Sequence, residues 1–280
     1  MRWRGGRRST NITDRRGRGA MVGGGIGAVV LTIVALLLGV DPSDIGVDPG
    51  ATSAPGSAQG PGALPAADDT MYQFVSVVLA DTEDTWNGIF AAEGADYREP
   101  TLEVFSNMTQ SACGYAGAAV GPFYCPLDEK VYIDLSFFGD LRDQLGAPGN
   151  FAQAYVVAHE VGHHVQTLLG ITQQTQAARE RASQAEANAI SVRQELQADC
   201  FAGIWAYHAR QSQNVQLEPG DIEAGLNAAA AIGDDRLQRR SQGTVVPESF
   251  THGSSAQRVE WFRRGYESGN VEACNTFGGG

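Results

Sequence analysis

Two histidines one helical turn apart, with a glutamate between them, are the residues of this chain that point most directly to chemistry. They form the pattern His159-Glu160-Val161-Gly162-His163. At 3.6 residues per turn, positions i and i+4 share a helix face, so both imidazoles can reach one ion. Imidazole nitrogen suits zinc, and the neighbouring carboxylate can accept a proton from metal-bound water. The pattern predicts that His159 and His163 are metal ligands and that Glu160 is the general base.

A catalytic zinc takes three protein ligands and keeps one position open, so a third ligand is expected from another element. Glu195 and Asp199 share one face of a predicted helix, in an E-x-x-x-D arrangement that leads into the apolar run 200–205. This run favours burial of the two acids over a solvated surface position. We predict that Glu195 binds a single zinc ion and that Asp199 accepts a hydrogen bond from a ligand imidazole. Spacing alone does not decide which of the two acids is the ligand.

The elements that must position these residues are predicted to be mainly helices. Asn150 is a plausible N-cap, and Gly170 a plausible end, for the helix that carries the histidines. Helical spacing of apolar residues predicts helices over 71–90, 151–169, 195–209, 221–232 and 259–268. Alternation and β-branched residues predict strands over 101–105 and 130–138, separated by a loop-like segment at 121–125.

The N-terminal part of the chain differs sharply from the rest. Residues 1–19 carry seven arginines, whereas the rest is acidic enough to bring the net charge to -12, which argues against nucleic acid binding. Residues 20–40 carry no charge and predict one transmembrane helix in the lipid bilayer of the cell membrane, with a cleaved secretory signal as the alternative. The arginines then make residues 1–19 a basic cytoplasmic head and place the catalytic domain outside the cytoplasm. Residues 41–69, rich in Pro, Gly and Ala, predict a flexible linker before a folded domain at 70–280.

The four cysteines suit an oxidising compartment. They are Cys113, Cys125, Cys200 and Cys274, and an even number permits two disulfides in three possible connectivities. Cys113 and Cys125 are the natural local pair. Free buried thiols are the alternative, and the absence of C-x-x-C spacing argues against a cysteine zinc site.

The sequence resembles the neutral zinc metallopeptidases of bacteria, single-span proteins with an H-E-x-G-H-H-V-Q helix. The resemblance covers most of the predicted domain, and the stretches that carry it are CGYAGAAVGPFYCPLDEKVYIDLSFF (113–138), AHEVGHHVQ (158–166), ELQADCFAGIWA (195–206) and THGSSAQRVEWFRRGY (251–266). It implies an α+β, mainly helical, gluzincin-like domain. In such a domain the active-site helix packs under a small sheet, and an edge strand accepts an extended peptide.

The motifs are also similar to those of the heat-shock membrane metallopeptidases, whose third ligand is a glutamate in an E-x-x-x-D helix. This likeness favours Glu195 over Asp199 as the ligand. Thr251-His252-Gly253 resembles a Thr-His-Pro element of the same relatives, although Gly253 replaces the proline. Because a peptidase must steady an oxyanion opposite the metal, His252 is predicted to be catalytic, with a structural loop histidine as the alternative.

The expected function is zinc-dependent hydrolysis of peptide bonds in a peptide or protein substrate. Glu160 would serve as the base that activates water on the metal. A tethered binding or scaffold protein that keeps a structural metal site is the alternative. The presence of Glu160 beside the two histidines argues against that alternative, because a purely structural site needs no base.

Overall fold

The computed structural model describes residues 1–16 and 69–278, which belong to one compact unit. Within these residues the chain is a mainly helical α+β domain with small sheets. The helices are α1 (Thr70–Ala92), α2 (Phe137–Asp143), α3 (Asn150–Leu168), α4 (Ile171–Arg179), α5 (Gln184–Ala209), α6 (Asp221–Ala231), α7 (Asp234–Gln242) and α8 (Ser255–Ser268). The strands are β1 (Ile12–Asp14), β2 (Thr101–Phe105), β3 (Met108–Ser111), β4 (Gly114–Gly117), β5 (Phe123–Cys125) and β6 (Lys130–Asp134).

The larger sheet of the described residues has the strand order β1-β2-β6-β5. The first three strands are parallel, whereas β5 runs antiparallel to β6 and forms the edge; β3 and β4 make a separate hairpin. The prediction of a strand over 101–105 is confirmed. The predicted strand 130–138 is too long, because the Asp134 carboxylate accepts the backbone N–H of Ser136 at 3.0 Å and turns the chain into α2. The predicted loop 121–125 contains β5.

Helix α3 is almost wholly buried and packs against α1, α5 and α6. Gly149 occupies its N-cap position, so the predicted cap at Asn150 is wrong by one residue. The predicted end is confirmed, because Gly170 follows the helix with a φ of 74°, which favours glycine. Helix α5 starts well before the predicted residue 195, because Ser183 and Glu186 form a capping box there.

Residues 1–16 pack on the domain instead of forming a separate head. Strand β1 pairs in parallel with β2, and the Trp3 ring lies edge-on to Phe74 of α1 with 5.4 Å between centroids. The Arg7 guanidinium binds Glu83 at 3.0 Å and Asp84 at 2.7 Å on the same helix. The basic side chains of this segment therefore neutralise acids of the domain itself.

The predicted transmembrane helix over 20–40 lies outside the described residues, as does the predicted linker apart from Asp69. None of the helices formed by residues 1–16 and 69–278 has the length and apolar character that crossing a membrane requires. The prediction of a fold with a transmembrane helix is therefore wrong. Strand pairing gives a physical reason, because a single crossing between β1 and β2 would place two paired strands on opposite sides of a bilayer.

All four cysteines are paired in two disulfides. Cys113–Cys125 ties the β3–β4 hairpin to β5, and Cys200–Cys274 ties α5 to the 3₁₀ turn Val271–Cys274 near the C-terminus. The predicted local pair is confirmed, and the alternative of free thiols is excluded.

Candidate metal centre

The three predicted metal ligands converge on one point between α3 and α5. Glu195 Oε2 lies 3.2 Å from His159 Nε2, and Glu195 Oε1 lies 3.4 Å from His163 Nε2. One ligand atom from each of the three residues lies within 4.8 Å of the others. Two imidazole nitrogens and one carboxylate form the donor set of many catalytic zinc sites, so these residues fit a zinc ion. Glu160 lines the same cleft and is 7% exposed.

Gly162 allows the two ligand-bearing helices to approach closely. A Cβ at this position would lie 2.9 Å from the carbonyl oxygen of Ala198 on α5. Because that contact is with backbone, a larger residue would push α5 and its Glu195 away from the histidines. The glycine inside the H-E-x-x-H pattern is thus a requirement of helix packing.

Asp199 lies on the far side of His159 from Glu195, inside a buried network. Its Oδ1 accepts a hydrogen bond from His159 Nδ1 at 2.9 Å. Arg258 donates to the same carboxylate from Nε at 2.8 Å and from Nη2 at 3.0 Å, and the Tyr155 hydroxyl donates to it as well. Because Asp199 holds the proton on Nδ1, Nε2 is the His159 nitrogen that is left for a metal ion beside Glu195. Asp199 therefore has the contact that the sequence predicts for it.

Gln166 does for His163 what Asp199 does for His159. Its side-chain oxygen lies 2.9 Å from His163 Nδ1, and its side-chain nitrogen donates to the Gln194 carbonyl oxygen at 2.7 Å and to Gln197 Oε1 at 3.0 Å. Gln166 is fully buried. Both histidines therefore have a buried partner at Nδ1, one a carboxylate and the other an amide.

Sequence reasoning missed four side chains of these networks. They are Tyr155, Gln166, Gln197 and Arg258. Tyr155 and Gln166 lie one turn before His159 and three residues after His163 on the same helix, so helical spacing could have indicated both. Arg258 comes from α8, and its contact with Asp199 depends on a close helix crossing that spacing does not show.

Electrostatics at the centre favour a bound cation. Burial opposes protonation of His159, yet the negative charges of Asp199 and Glu195 raise its pKa to about 10. Burial also opposes ionisation of Glu195, but the imidazoles of His163 and His159 lower its pKa well below the usual range. Burial raises the pKa of Glu160. A metal that takes the place of the imidazole protons would satisfy the same carboxylates, so metal binding here should release protons.

His252 faces the same cleft from the loop before α8. Asp234 Oδ2 accepts the backbone N–H groups of Thr251 and His252, both at 2.7 Å, and of Gly253 at 3.1 Å. Asp234 Oδ1 lies 3.1 Å from His252 Nδ1 and fixes the ring. This hydrogen bond raises the pKa of His252, against the opposing effect of partial burial. Asp234 lies in the first turn of α7, a helix that the sequence analysis did not predict.

The centre lies in a cleft of about 600 Å³. Phe123 and Tyr124 of the edge strand β5 form part of one wall. Apolar side chains from α2, α3, α7 and the loops near them also line it, namely Phe137, Leu145, Val156, Ile232 and Leu237. The cleft thus contains apolar surface, the three candidate ligand side chains and strand β5, which has one unpaired edge among residues 1–16 and 69–278.

Comparisons with known proteins agree with this site. The family model described as "Putative neutral zinc metallopeptidase" matches residues 1–277. The uncharacterized protein YpfJ of Escherichia coli strain K12 is 51% identical over 288 residues, which cover 99% of each chain. The uncharacterized protein Rv2575 of Mycobacterium tuberculosis strain H37Rv is 44% identical over 214 residues, which cover 73% of this chain and 71% of that protein. No solved structure matches.

Proposed function

The chain belongs to the neutral zinc metallopeptidase family, and from this premise we propose that it is a zinc-dependent endopeptidase. One observation carries the proposal: the imidazoles of His159 and His163 and the carboxylate of Glu195 converge in an open cleft that also contains Glu160. A structural metal site has no need of a cleft or of an additional buried carboxylate. Hydrolysis of peptide bonds accounts for both.

In this mechanism His159, His163 and Glu195 would hold the zinc ion. When bound, zinc supplies a Lewis acid that polarises a carbonyl group and lowers the pKa of water. Glu160 takes a proton from the attacking water and passes it to the leaving amine nitrogen. Burial raises the pKa of Glu160, which makes its carboxylate a stronger base toward the proton of the attacking water.

His252 completes the catalytic group in this proposal. Protonated and fixed by Asp234, it would donate a hydrogen bond to the negative oxygen that develops on the scissile carbonyl. Its side chain is half-exposed and lines the cleft that contains the ligand atoms, which makes it available to a substrate.

The proposed substrate is an extended segment of a peptide or protein. Strand β5 is the last strand of its sheet among the described residues, and it lines the cleft beside the metal ligands. An extended chain can add to such an edge through main-chain hydrogen bonds, while its side chains enter the apolar surface nearby. This arrangement would hold the scissile bond close to Glu160.

We also propose that the domain works outside the cytoplasm. Two disulfides in one domain form and persist in oxidising compartments and are rare among cytosolic proteins.

Substitution of the base in the full chain tests the function. Glu160→Gln should keep the zinc, because the ligands are intact, and should lower the cleavage of an unfolded protein by a factor of about 100 to 10,000. Cleavage by the unchanged chain should stop when a chelator is added and return with zinc. Glu267→Gln changes an exposed glutamate elsewhere and should leave the rate unchanged.

Two results would contradict the proposal. Cleavage by the Glu160→Gln variant at the unchanged rate would show that Glu160 is not the base. Full zinc occupancy without any chelator-sensitive cleavage would favour the alternative of a binding protein with a structural metal site.

A further inference from the structure

The hydrogen bond between His163 and Gln166 is the first of a series that runs through side-chain amide groups to the backbone of Cys274, which forms the C-terminal disulfide. We propose that Gln166 is the positioning residue that orients His163 toward the metal, and that Gln197 and the Cys200–Cys274 disulfide hold Gln166 in place. The inference rests on the metal site of the proposed function, but it concerns zinc affinity and not hydrolysis.

The first link fixes the tautomer of His163. The Gln166 side-chain oxygen can only accept, and it lies 2.9 Å from His163 Nδ1, so Nδ1 carries the proton. The bare Nε2 then faces Glu195 Oε1 at 3.4 Å. A side chain with a donor in this place would favour the proton on Nε2 and remove the ligand lone pair.

The second link fixes the orientation of the Gln166 amide. Its nitrogen donates to the Gln194 carbonyl oxygen at 2.7 Å. Because a carbonyl oxygen cannot donate, a flipped amide would place two oxygens in contact. The orientation of Gln166 is therefore set by the backbone of α5, the helix that also carries Glu195.

The third link continues the series toward the C-terminus with the same direction of hydrogen-bond donation. Gln166 donates to Gln197 Oε1 at 3.0 Å, and Gln197 Nε2 donates to the Cys274 carbonyl oxygen at 3.0 Å. That carbonyl requires a donor, so it orients Gln197, which in turn presents an acceptor to Gln166. Gln166 and Gln197 are both buried, so water does not replace these partners readily.

The disulfide holds in place the Cys274 carbonyl group, which is the last member of this hydrogen-bond series. Cys274 ends the short 3₁₀ turn Val271–Cys274, and its bond to Cys200 fixes this turn to α5 one turn beyond Gln197. Without the disulfide the segment around this turn keeps fewer contacts with α5, one of them the hydrogen bond that Thr276 Oγ1 donates to the Arg193 carbonyl oxygen at 2.8 Å. Loss of the disulfide is therefore expected to loosen Gln197 first and His163 last.

Zinc affinity of the full chain, measured by competition with a chelator, tests the proposal. Gln166→Ala should weaken zinc binding by about 10- to 100-fold, the usual effect of losing a partner behind a ligand. Gln166→Met keeps most of the side-chain volume but has neither the amide acceptor nor the amide donor, so it should bind zinc about as weakly as Gln166→Ala, which a packing defect alone would not explain. Gln173→Ala, an exposed glutamine of α4, should bind zinc like the unchanged chain.

Cysteine variants test the end of the hydrogen-bond series that lies farthest from His163. Replacing Cys200 and Cys274 together by serine should weaken zinc binding, whereas the same change at Cys113 and Cys125 should not. Both changes disrupt the same hydrogen-bond series. The loss of zinc-binding free energy in the variant that combines Gln166→Ala with the Cys200 and Cys274 replacements should therefore be smaller than the sum of the two separate losses. Full additivity, or unchanged affinity in Gln166→Ala, would overturn the proposal.

A measurement on the unchanged chain keeps the test independent of variant folding. Nitrogen-15 NMR of the zinc-loaded protein should find the His163 proton on Nδ1 and the metal on Nε2. The reverse assignment would overturn the proposal. Zinc binding without peptide cleavage would instead contradict the proposed function and leave this inference intact.

Discussion

At the scale of single residues, the two histidines proposed as metal ligands differ in the charge of the side chain that contacts their Nδ1 atoms. His159 faces the Asp199 carboxylate, which is itself paired with the buried Arg258, whereas His163 faces the neutral amide of Gln166. A carboxylate makes its imidazole a stronger ligand, and an amide chiefly fixes the orientation of its ring. In the proposed centre, His159 would therefore be the ligand strengthened by a carboxylate, and His163 the ligand oriented by a neutral amide.

His252 gives the site a predictable pH dependence. Asp234 raises the pKa of His252. The His252 ring is therefore protonated at pH values below that pKa and loses its proton as the pH rises through it. If the protonated ring assists the reaction, kcat/KM must fall over the same range. Asp234→Asn removes the charge and the main cause of the shift, so the alkaline fall should move to lower pH.

The measurement is kcat/KM against pH for both chains. Asp96→Asn, which changes an exposed acid on another loop, should leave the profile in place. An alkaline limb that does not move in Asp234→Asn, in a protein with an unchanged melting temperature, would show that His252 has no part in the reaction.

The candidate site residues that the sequence could group together are those whose relation is local. His159, Glu160 and His163 follow from the period of one helix, and Glu195 and Asp199 from the period of a second helix together with a family resemblance. The contact of Arg258 with Asp199 could not be predicted in this way. It depends on Gly265 of α8, where a Cβ would lie 1.9 Å from the Cys200 carbonyl oxygen, so only a glycine allows this helix crossing.

At the scale of elements, the N-terminal segment shows where pattern reading fails. Strand β1 has three residues, too few to show an alternation, and it lies in a segment dominated by arginines. Those charges predicted a basic head because several of their acidic partners, such as Glu83 for Arg7 and Glu103 for Arg15, are distant in sequence. Helices α2, α4 and α7 were also missed, because all three are short and polar residues interrupt their apolar spacing.

If the N-terminal segment belongs to the domain, Trp3 must contribute to its stability. Its ring is 8% exposed and packs on Phe74 of α1. Trp3→Ala should lower the free energy of unfolding by about 3–5 kcal/mol, the usual cost of removing a large buried aromatic ring. Urea unfolding of the full chain measures this change.

Thr10→Ala provides the control, because Thr10 is an exposed residue of the same segment. It should leave the unfolding midpoint unchanged. Equal midpoints for the Trp3→Ala and unchanged chains would mean that residues 1–16 do not pack on the domain in solution.

At the scale of the whole molecule, the two disulfides connect stability to the cellular compartment. Cys200–Cys274 closes a long loop and Cys113–Cys125 a short one, with sequence separations of 74 and 12. Removing a native disulfide typically costs about 2–5 kcal/mol, so a reducing environment would weaken both the domain and its metal site.

The compartment can be tested on protein taken from its own cells. Thiols are alkylated before any reduction, and the peptides are then measured by mass spectrometry. All four cysteines should escape alkylation, because an oxidising compartment keeps them paired. Alkylation of most chains at these positions would show that the domain works in a reducing compartment.

The metal content and ligand set of the purified full chain test the proposed centre most directly. Elemental analysis should find about one zinc ion per chain, and X-ray absorption should find imidazole nitrogen and carboxylate oxygen without sulfur. The zinc should be lost in His163→Ala and in Glu195→Ala and kept in Glu160→Gln. Full zinc occupancy in either ligand variant, or sulfur in the coordination shell, would contradict the assignment of the site.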